Sequence, residues 1–402
     1  MKRLALVFPG QGSQHIGMGK TLYDNFQEAK DVFEEANDIL GYDLRSICFE
    51  GSINKLSQIN ILFPAILTVS FANYKCFEKL IDAKITVGLG HSLGEFSALT
   101  CSGVIAFKDA LKIVEKRGDL IKSNKAISAG IMDIIQGINE STLREICTKT
   151  VEISCFNAIK QFAISGEEQD VIDVEKRIID KGGRVTPLIT SPPMHCKMIN
   201  PIIKDFKIEL IKYQFNRGDF DVISNFTALP YRYQKNDIIS NLTNQLVHPV
   251  QWQKSMDYIE DLGIDTVIEL GSNSVLTNLT RMNKPHIKSF SFEDKDDFRE
   301  IKDNFSNLQD SKIIERCLML AITTKSSDFS IEEYSIFKNS YKRIDQIQRN
   351  IDEGNLPITK SCIYEVLKLL RKILTVKGIS NTEQNRLIDS IMDIPLIVNC
   401  NI

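Results

Sequence analysis

Apolar positions in roughly the first 290 residues alternate between two textures. Short unbroken runs, Leu4–Phe8, Ile85–Leu89, Val222–Ser224 and Thr266–Leu270, predict buried strands, each closed by a glycine-containing or polar turn. Between them, Phe26–Leu40, Ile61–Ile81 and Phe107–Ile121 carry apolar residues at helical spacing. Strands alternating with helices predict an α/β sheet, largely parallel, with helices on both faces. From about 126 to 193 the texture changes. Gly130–Gln136, Val151–Ile153, Gln161–Ile164 and Arg184–Thr190 predict short strands, with helices over Ser141–Thr148 and Glu168–Lys181. That order predicts a small α+β unit inserted into the larger sheet.

Glu293–Asp303 is a mixed acidic and basic run, expected to be an exposed linker or a solvated helix face. Beyond it the pattern is helical. Ser330 and Glu333 have the spacing of a capping box, and Tyr334, Phe337, Tyr341, Ile344, Ile347 and Ile351 then recur until Gly354. Ile363, Val366, Leu367, Leu370 and Leu374 repeat the stripe, so the tail predicts a small helical unit.

Composition narrows the partners. The 402 residues are 43% hydrophobic and 25% charged, with net charge −3, which supplies no basic field for nucleic acid and no reason to expect a membrane surface. No 18-residue apolar stretch is evident, and Met1–Pro9 reads as a first buried strand rather than a signal peptide. Nine scattered cysteines, without a C-x-x-C pair or zinc-finger spacing, suggest reduced thiols of a cytoplasmic protein and no metal site.

The chemistry concentrates in Gly90-His91-Ser92-Leu93-Gly94, between the Ile85–Leu89 run and a helix-compatible run from Glu95 to Leu99. This is the form of a nucleophile elbow, a strand-to-helix turn that lifts a serine hydroxyl out of the sheet and aims helix N–H groups at the same spot. The bland alternative is a surface turn with a solvated serine. A serine nucleophile needs a base, and the histidines stand at 15, 91, 195, 248 and 286. His91 is adjacent to Ser92 and expected to point away. His195 follows Pro192 and Pro193, which stiffen its loop; His248, before Pro249, competes with it.

Phe8-Pro9-Gly10-Gln11-Gly12-Ser13-Gln14 forms a second glycine-rich turn. It fails the dinucleotide fingerprint at His15 and the phosphate-loop pattern at Gln14, which precedes Gly19-Lys20-Thr21 where a glycine is required. A backbone donor from this turn could instead complete an oxyanion site. Arg117 is odd in its helix, because Ala110, Ile113, Val114, Leu120 and Ile121 place it on the apolar stripe. A buried guanidinium needs an anion: either a protein carboxylate or the carboxylate of a substrate.

Together these residues resemble the malonyl-CoA:acyl carrier protein transacylase family. The likeness rests on Phe8–Gln14, Gly90–Leu99, Val114–Gly118, Pro193–Cys196, His248–Trp252 and Glu269–Gly271, in order along residues 1 to about 290. It implies an α/β-hydrolase-like large subdomain (1–125 and 196–292), an inserted ferredoxin-like subdomain (126–195) and a helical C-terminal extension (305–402). It further implies Ser92 as nucleophile, His195 as base, and the Gln11 and Leu93 backbone N–H groups as oxyanion donors. Arg117 would hold a malonyl carboxylate and the Gln251 carbonyl would orient the histidine.

Met194 departs from the Ser or Phe found before the base in relatives, which leaves the strictness of malonyl preference open. The tail has no counterpart in the housekeeping enzymes of fatty acid synthesis; free-standing acyltransferases of polyketide or mixed peptide-polyketide synthesis sometimes carry extensions. The implied activity is transfer of malonyl from malonyl-CoA to the phosphopantetheine thiol of an acyl carrier protein, alone or within a multimodular synthase, without a bound cofactor. A serine esterase or thioesterase is the alternative reading, and a non-catalytic scaffold a more distant one.

Overall fold

The computed structural model describes residues 3–81, 83–188, 191–305, 307–325, 329–356 and 358–392. These form two compact units, residues 1–77 with 83–298, and 78–82 with 299–402.

Among the described residues the first unit contains nine strands: β1 (Leu4–Phe8), β2 (Ile85–Gly90), β3 (Gly130–Gln136), β4 (Val151–Ala158), β5 (Gln161–Glu167), β6 (Arg184–Pro187), β7 (Asp221–Ile223), β8 (Thr266–Glu269) and β9 (Lys288–Ser291). Five make a sheet of order β7-β2-β1-β8-β9, and every pairing in it is parallel. All five residues of β1 are fully buried, which is why the run Leu4–Phe8 is apolar without alternation: helices cover both faces of a parallel sheet. The turns after β1, β2 and β7 leave from the same carboxyl edge, where open α/β sheets place their sites.

The other four strands form an antiparallel sheet of order β4-β5-β3-β6, interleaved with helices Glu140–Ile146 and Glu168–Asp180. The element order β-α-β-β-α-β with this strand order is ferredoxin-like. Its strands alternate in the expected period of two. Ile131 and Ile135 pack into a core with Leu143, Val171 and Ile178 from the helices, whereas Met132 and Ile134 face a cavity on the opposite side. Backbone bonds from Phe156 N–H to the Val250 carbonyl (2.9 Å) and from Val250 N–H to the Ser154 carbonyl (3.0 Å) tie this sheet to the turn before helix Trp252–Asp261.

The charged run after Glu293 takes the helical one of its two expected forms, Lys295–Phe305, but Phe298 and Ile301 give it a buried face where a solvated one was expected. The strand β9 was not anticipated. And helix Ile59–Leu80 is, among the described residues, long and apolar enough to cross a membrane, yet most of it is buried inside the protein as a core helix. The residues Ile189 and Thr190 of the expected last strand lie outside the described residues.

In the second unit, helices Asn307–Thr323, Ile331–Asp352, Lys360–Val376 and Asn381–Met392 share a core that includes Ile314, Cys317, Ile344, Ile347, Val366, Leu370 and Leu374. Full burial of one such side chain is worth about 1.5–3 kcal/mol, so the set is enough to build a packed bundle. Ser330 and Glu333 form the capping box, and Gly354 follows the helix at φ 74°, the left-handed conformation that glycine takes without strain. Lys377 donates from Nζ to the Thr324 carbonyl at 2.6 Å and lies over the Phe337 ring, closing two helix ends at once.

Candidate active site

Ser92 follows the carboxyl end of β2 at φ 54°, with helix Gly94–Cys101 starting two residues later. The turn is tight enough to exclude side chains on either flank. A Cβ on Gly94 would lie 1.9 Å from the Phe8 carbonyl oxygen, and one on Gly10 would lie 2.4 Å from the His91 carbonyl oxygen. The turn after β1 is thereby pressed against the elbow. A non-glycine residue at positive φ is strained, and such strain persists only where its surroundings hold it.

The Ser92 Oγ lies 2.7 Å from His195 Nε2, and His195 Nδ1 lies 2.7 Å from the carbonyl oxygen of Gln245. A carbonyl can only accept, so Nδ1 carries the proton and Nε2 is the lone-pair nitrogen facing the serine hydroxyl. His195 is buried and itself sits at φ 59°. Burial, then the fields of Arg117 and His91, pull its pKa down to about 3 against the opposing bond to Gln245, so the ring is neutral near pH 7.

The carbonyl that meets His195 corrects the expectation for Gln251. The Gln251 carbonyl is committed to helix Trp252–Asp261, accepting from Ser255 N–H at 3.0 Å and Ser255 Oγ at 3.1 Å. Gln245 is in the last turn of helix Lys235–Val247, where carbonyls lack partners. Its helical partner would be the N–H of residue 249, and Pro249 has none. That is the signal sequence reasoning missed: the Pro249 beside a candidate histidine is what releases the Gln245 oxygen four residues earlier.

Beneath the serine lies a network of buried polar groups. The Asn225 Oδ1 accepts from Ser92 N–H at 2.7 Å, and its Nδ2 donates to the Gly90 carbonyl at 2.6 Å. Gln245 Nε2 donates to the Ser92 carbonyl and to Glu95 Oε2, both at 2.7 Å. Glu95 Oε1 accepts from Asn225 N–H at 3.1 Å and from the Tyr231 hydroxyl. Burial lifts Glu95 to about 7, opposed by Tyr231, Gln245, Asn225 and the field of Arg117. Gln245 thus holds the histidine with its backbone and the serine with its side chain.

Among the described residues, the Gln11 and Leu93 backbone N–H groups bond to no protein acceptor. Both stand where the two turns meet: a Cβ on Gly10 would lie 3.4 Å from Leu93 N. A cavity of about 290 Å³ opens over Ser92 and His195, lined by Gln11, His91, Met132, Ile134, Asn157, Leu188 and Met194 among others. His91 is turned aside as expected, bonded to Asn157 Oδ1 at 2.8 Å with its ring against Trp252. His248 is exposed, bonds the Asn244 carbonyl and packs on Phe226, away from the serine.

Arg117 is fully buried, and among the described residues none of its three guanidinium nitrogens has a hydrogen-bond partner. Burial pulls its pKa down to about 9, with Glu95 opposing. The protein carboxylate offered as its mate is not there: Glu95 acts on it only through its field, both carboxylate oxygens being bonded elsewhere. Among the described residues, no group of three or more His, Cys, Asp or Glu side chains is placed to hold a metal.

A serine hydroxyl on a strand–helix turn, bonded to a neutral histidine beside unpaired backbone donors, is the arrangement of serine-dependent acyl transfer. Residues 5–289 match the acyl transferase domain family. A malonyl CoA-acyl carrier protein transacylase of Bacillus subtilis is 31% identical over 401 residues, 96% of this chain and 100% of that relative, tail included. Its counterpart in Escherichia coli K12 is 33% identical over 287 residues, covering 70% of this chain and 93% of that protein. Among solved structures, an acyl carrier protein S-malonyltransferase from Vibrio cholerae superposes with TM-score 0.71 at 32% identity, over 75% of this chain and 100% of that one. A type II polyketide malonyl-transacylase, solved in complex with its acyl carrier protein, gives 0.72 at 31% identity, over 75% and 100%. The chain belongs to the malonyl CoA-acyl carrier protein transacylase family.

Proposed function

We propose that this protein moves a malonyl group from coenzyme A to the phosphopantetheine thiol of an acyl carrier protein by way of a malonyl ester on Ser92. The observation that carries the acyl choice is Arg117, a buried cation whose nitrogens are all unpaired among the described residues. An uncompensated buried charge costs several kcal/mol, and a substrate carboxylate bound through two parallel N–H bonds would offset it. A simple esterase has no use for such a group.

In the first half-reaction His195 Nε2 takes the Ser92 proton as Oγ attacks the thioester carbonyl carbon. The Gln245 carbonyl holds Nδ1–H and steadies the imidazolium that forms. The oxyanion is received by the Gln11 and Leu93 N–H groups. Collapse breaks the carbon–sulfur bond, and His195 returns the proton to the departing thiolate. In the second half the carrier thiol gives its proton to His195, attacks the ester, and Ser92 recovers its hydrogen. No step requires a cofactor.

In this reading residues 1–125 and 196–292 bear most of the chemistry, 126–195 roof the cavity and end on the base His195, and 305–402 dock or stabilise. Truncation after residue 305 decides the last: transfer lost with self-acylation kept marks docking. The eight described cysteines are free thiols, in keeping with a cytoplasmic setting.

The test is intact-protein mass spectrometry after mixing with malonyl-CoA, acetyl-CoA and bulkier esters. Gain of a malonyl mass, mapped to Ser92, is expected; no adduct on folded protein overturns the proposal. Rapid malonyl-CoA consumption in water without a thiol acceptor would favour the hydrolase.

A further inference from the structure

Arg117 is held by something other than hydrogen bonds. Its guanidinium carbon lies 4.9 Å from the centroid of the Phe63 ring and 5.5 Å from that of Phe96, over both rings. Phe63 and Phe96 are themselves almost wholly buried. The approach of Phe63 is built into the backbones. A Cβ on Gly118 would lie 2.5 Å from Asn60 Cα and 2.9 Å from the Ile59 carbonyl oxygen, so the Arg117 helix touches the start of helix Ile59–Leu80 main chain to main chain. Phe63 is one turn further along that helix, next to the residue that Gly118 follows. Phe96 comes from the elbow helix, two residues after the turn's Gly94.

A ring face attracts a guanidinium through its quadrupole while the five N–H bonds point outward in the guanidinium plane. An amide or carboxylate in place of Phe63 would accept from those same N–H groups. We propose that Phe63, assisted by Phe96, is the positioning residue for acyl selection: it fixes the Arg117 guanidinium by stacking and leaves all its donors for the carboxylate of the acyl group. This rests on Arg117 being that carboxylate's partner. Burial pulls the Arg117 pKa down, with only the field of Glu95 opposing, as befits a guanidinium with no bonded anion among the described residues.

The experiment compares acylation of Ser92 by malonyl-CoA and by acetyl-CoA in full-length wild type, Phe63→Leu, Phe63→Tyr, Phe96→Leu, Arg117→Ala and the Phe63→Leu/Arg117→Ala pair. Phe63→Leu keeps an apolar side chain and removes the π face. It is expected to lower the malonyl-to-acetyl ratio about tenfold, through the KM for malonyl-CoA with kcat held within about twofold. Phe63→Tyr, which restores the ring, should return the ratio to within about twofold of wild type. In the Arg117→Ala background the Phe63 change should move the ratio no further, because its effect passes through the guanidinium.

A folded Phe63→Leu protein with an unchanged ratio, or with both acyl groups slowed alike, overturns the proposal and leaves Phe63 as core packing. Should its melting curve show that it does not fold, Phe96→Leu carries the same test with the same signs. If Arg117→Ala itself fails to change the ratio, the reading of Arg117 falls and this inference falls with it. If Arg117→Ala changes the ratio and neither phenylalanine variant does, only this inference falls.

Discussion

Two sets of buried polar groups lie within a few side chains of each other and are treated in opposite ways. Around Ser92, Asn225, Gln245, Glu95 and Tyr231 bond one another and both main-chain groups of the serine. Around Arg117 the nitrogens have aromatic rings and, among the described residues, no acceptor. Apart from Gln245 Oε1, the first arrangement has its hydrogen bonds made before any substrate arrives, so it serves any acyl thioester alike. The second is costly until an anion comes, so its energy is realised only with a carboxylated acyl group. The difference separates the part of the site that reacts from the part that chooses.

The sharpest way to break that separation is at the reacting pair. Ser92→Ala should abolish the acyl-enzyme outright, and His195→Ala should slow acylation by a factor on the order of 10⁴, for malonyl and acetyl donors together, read by stopped-flow release of coenzyme A. Next, Arg117→Ala should cut malonyl acylation on the order of a hundredfold and acetyl acylation far less. Equal losses would make Arg117 part of the common machinery.

Glu95→Gln probes the boundary between the two sets. An amide offers one acceptor oxygen where the carboxylate offers two, so either the Gln245 or the Tyr231 bond is lost and kcat should fall about tenfold for both acyl groups. A loss confined to malonyl would reassign Glu95 as the charge that supports Arg117.

The mildest effect is the response to acid. An unperturbed histidine with pKa 6.5 would lose most of its base form between pH 7 and pH 5, slowing acylation by about 25-fold. His195 binds its proton only near 3, so the free-base form persists and the rate over that interval should change by less than about twofold. A steep acid limb near 6.5 would show that the ring is not held as Gln245 and burial suggest.

Much of this site was legible in the sequence because its parts are local. Gly90, Ser92 and Gly94 declare the elbow by spacing, and Arg117 declares itself as a charge on an apolar stripe. The parallel sheet followed from unbroken runs such as Leu4–Phe8, and the inserted sheet from the change of texture after 126. Long-range partners were not legible. Asn225 and Gln245 reach the serine from 133 and 153 residues away, and an ordinary amide in a polar stretch announces nothing. The role of Phe63 was hidden for the opposite reason, since one more phenylalanine in an apolar helix reads as core. The edge strand β9 has four residues, Lys288–Ser291, too short and mixed for periodicity to register.

The left-handed backbone at position 92 limits what chemistry can be substituted there. Threonine has the same hydroxyl as serine, but branching at Cβ is poorly tolerated at φ 54°, so the turn would have to unwind to seat it. Cysteine has no such branch and fits the corner. Of the side chains able to carry an ester or thioester, the shape of the main chain therefore admits the unbranched pair and rejects the branched one before reactivity is ever compared.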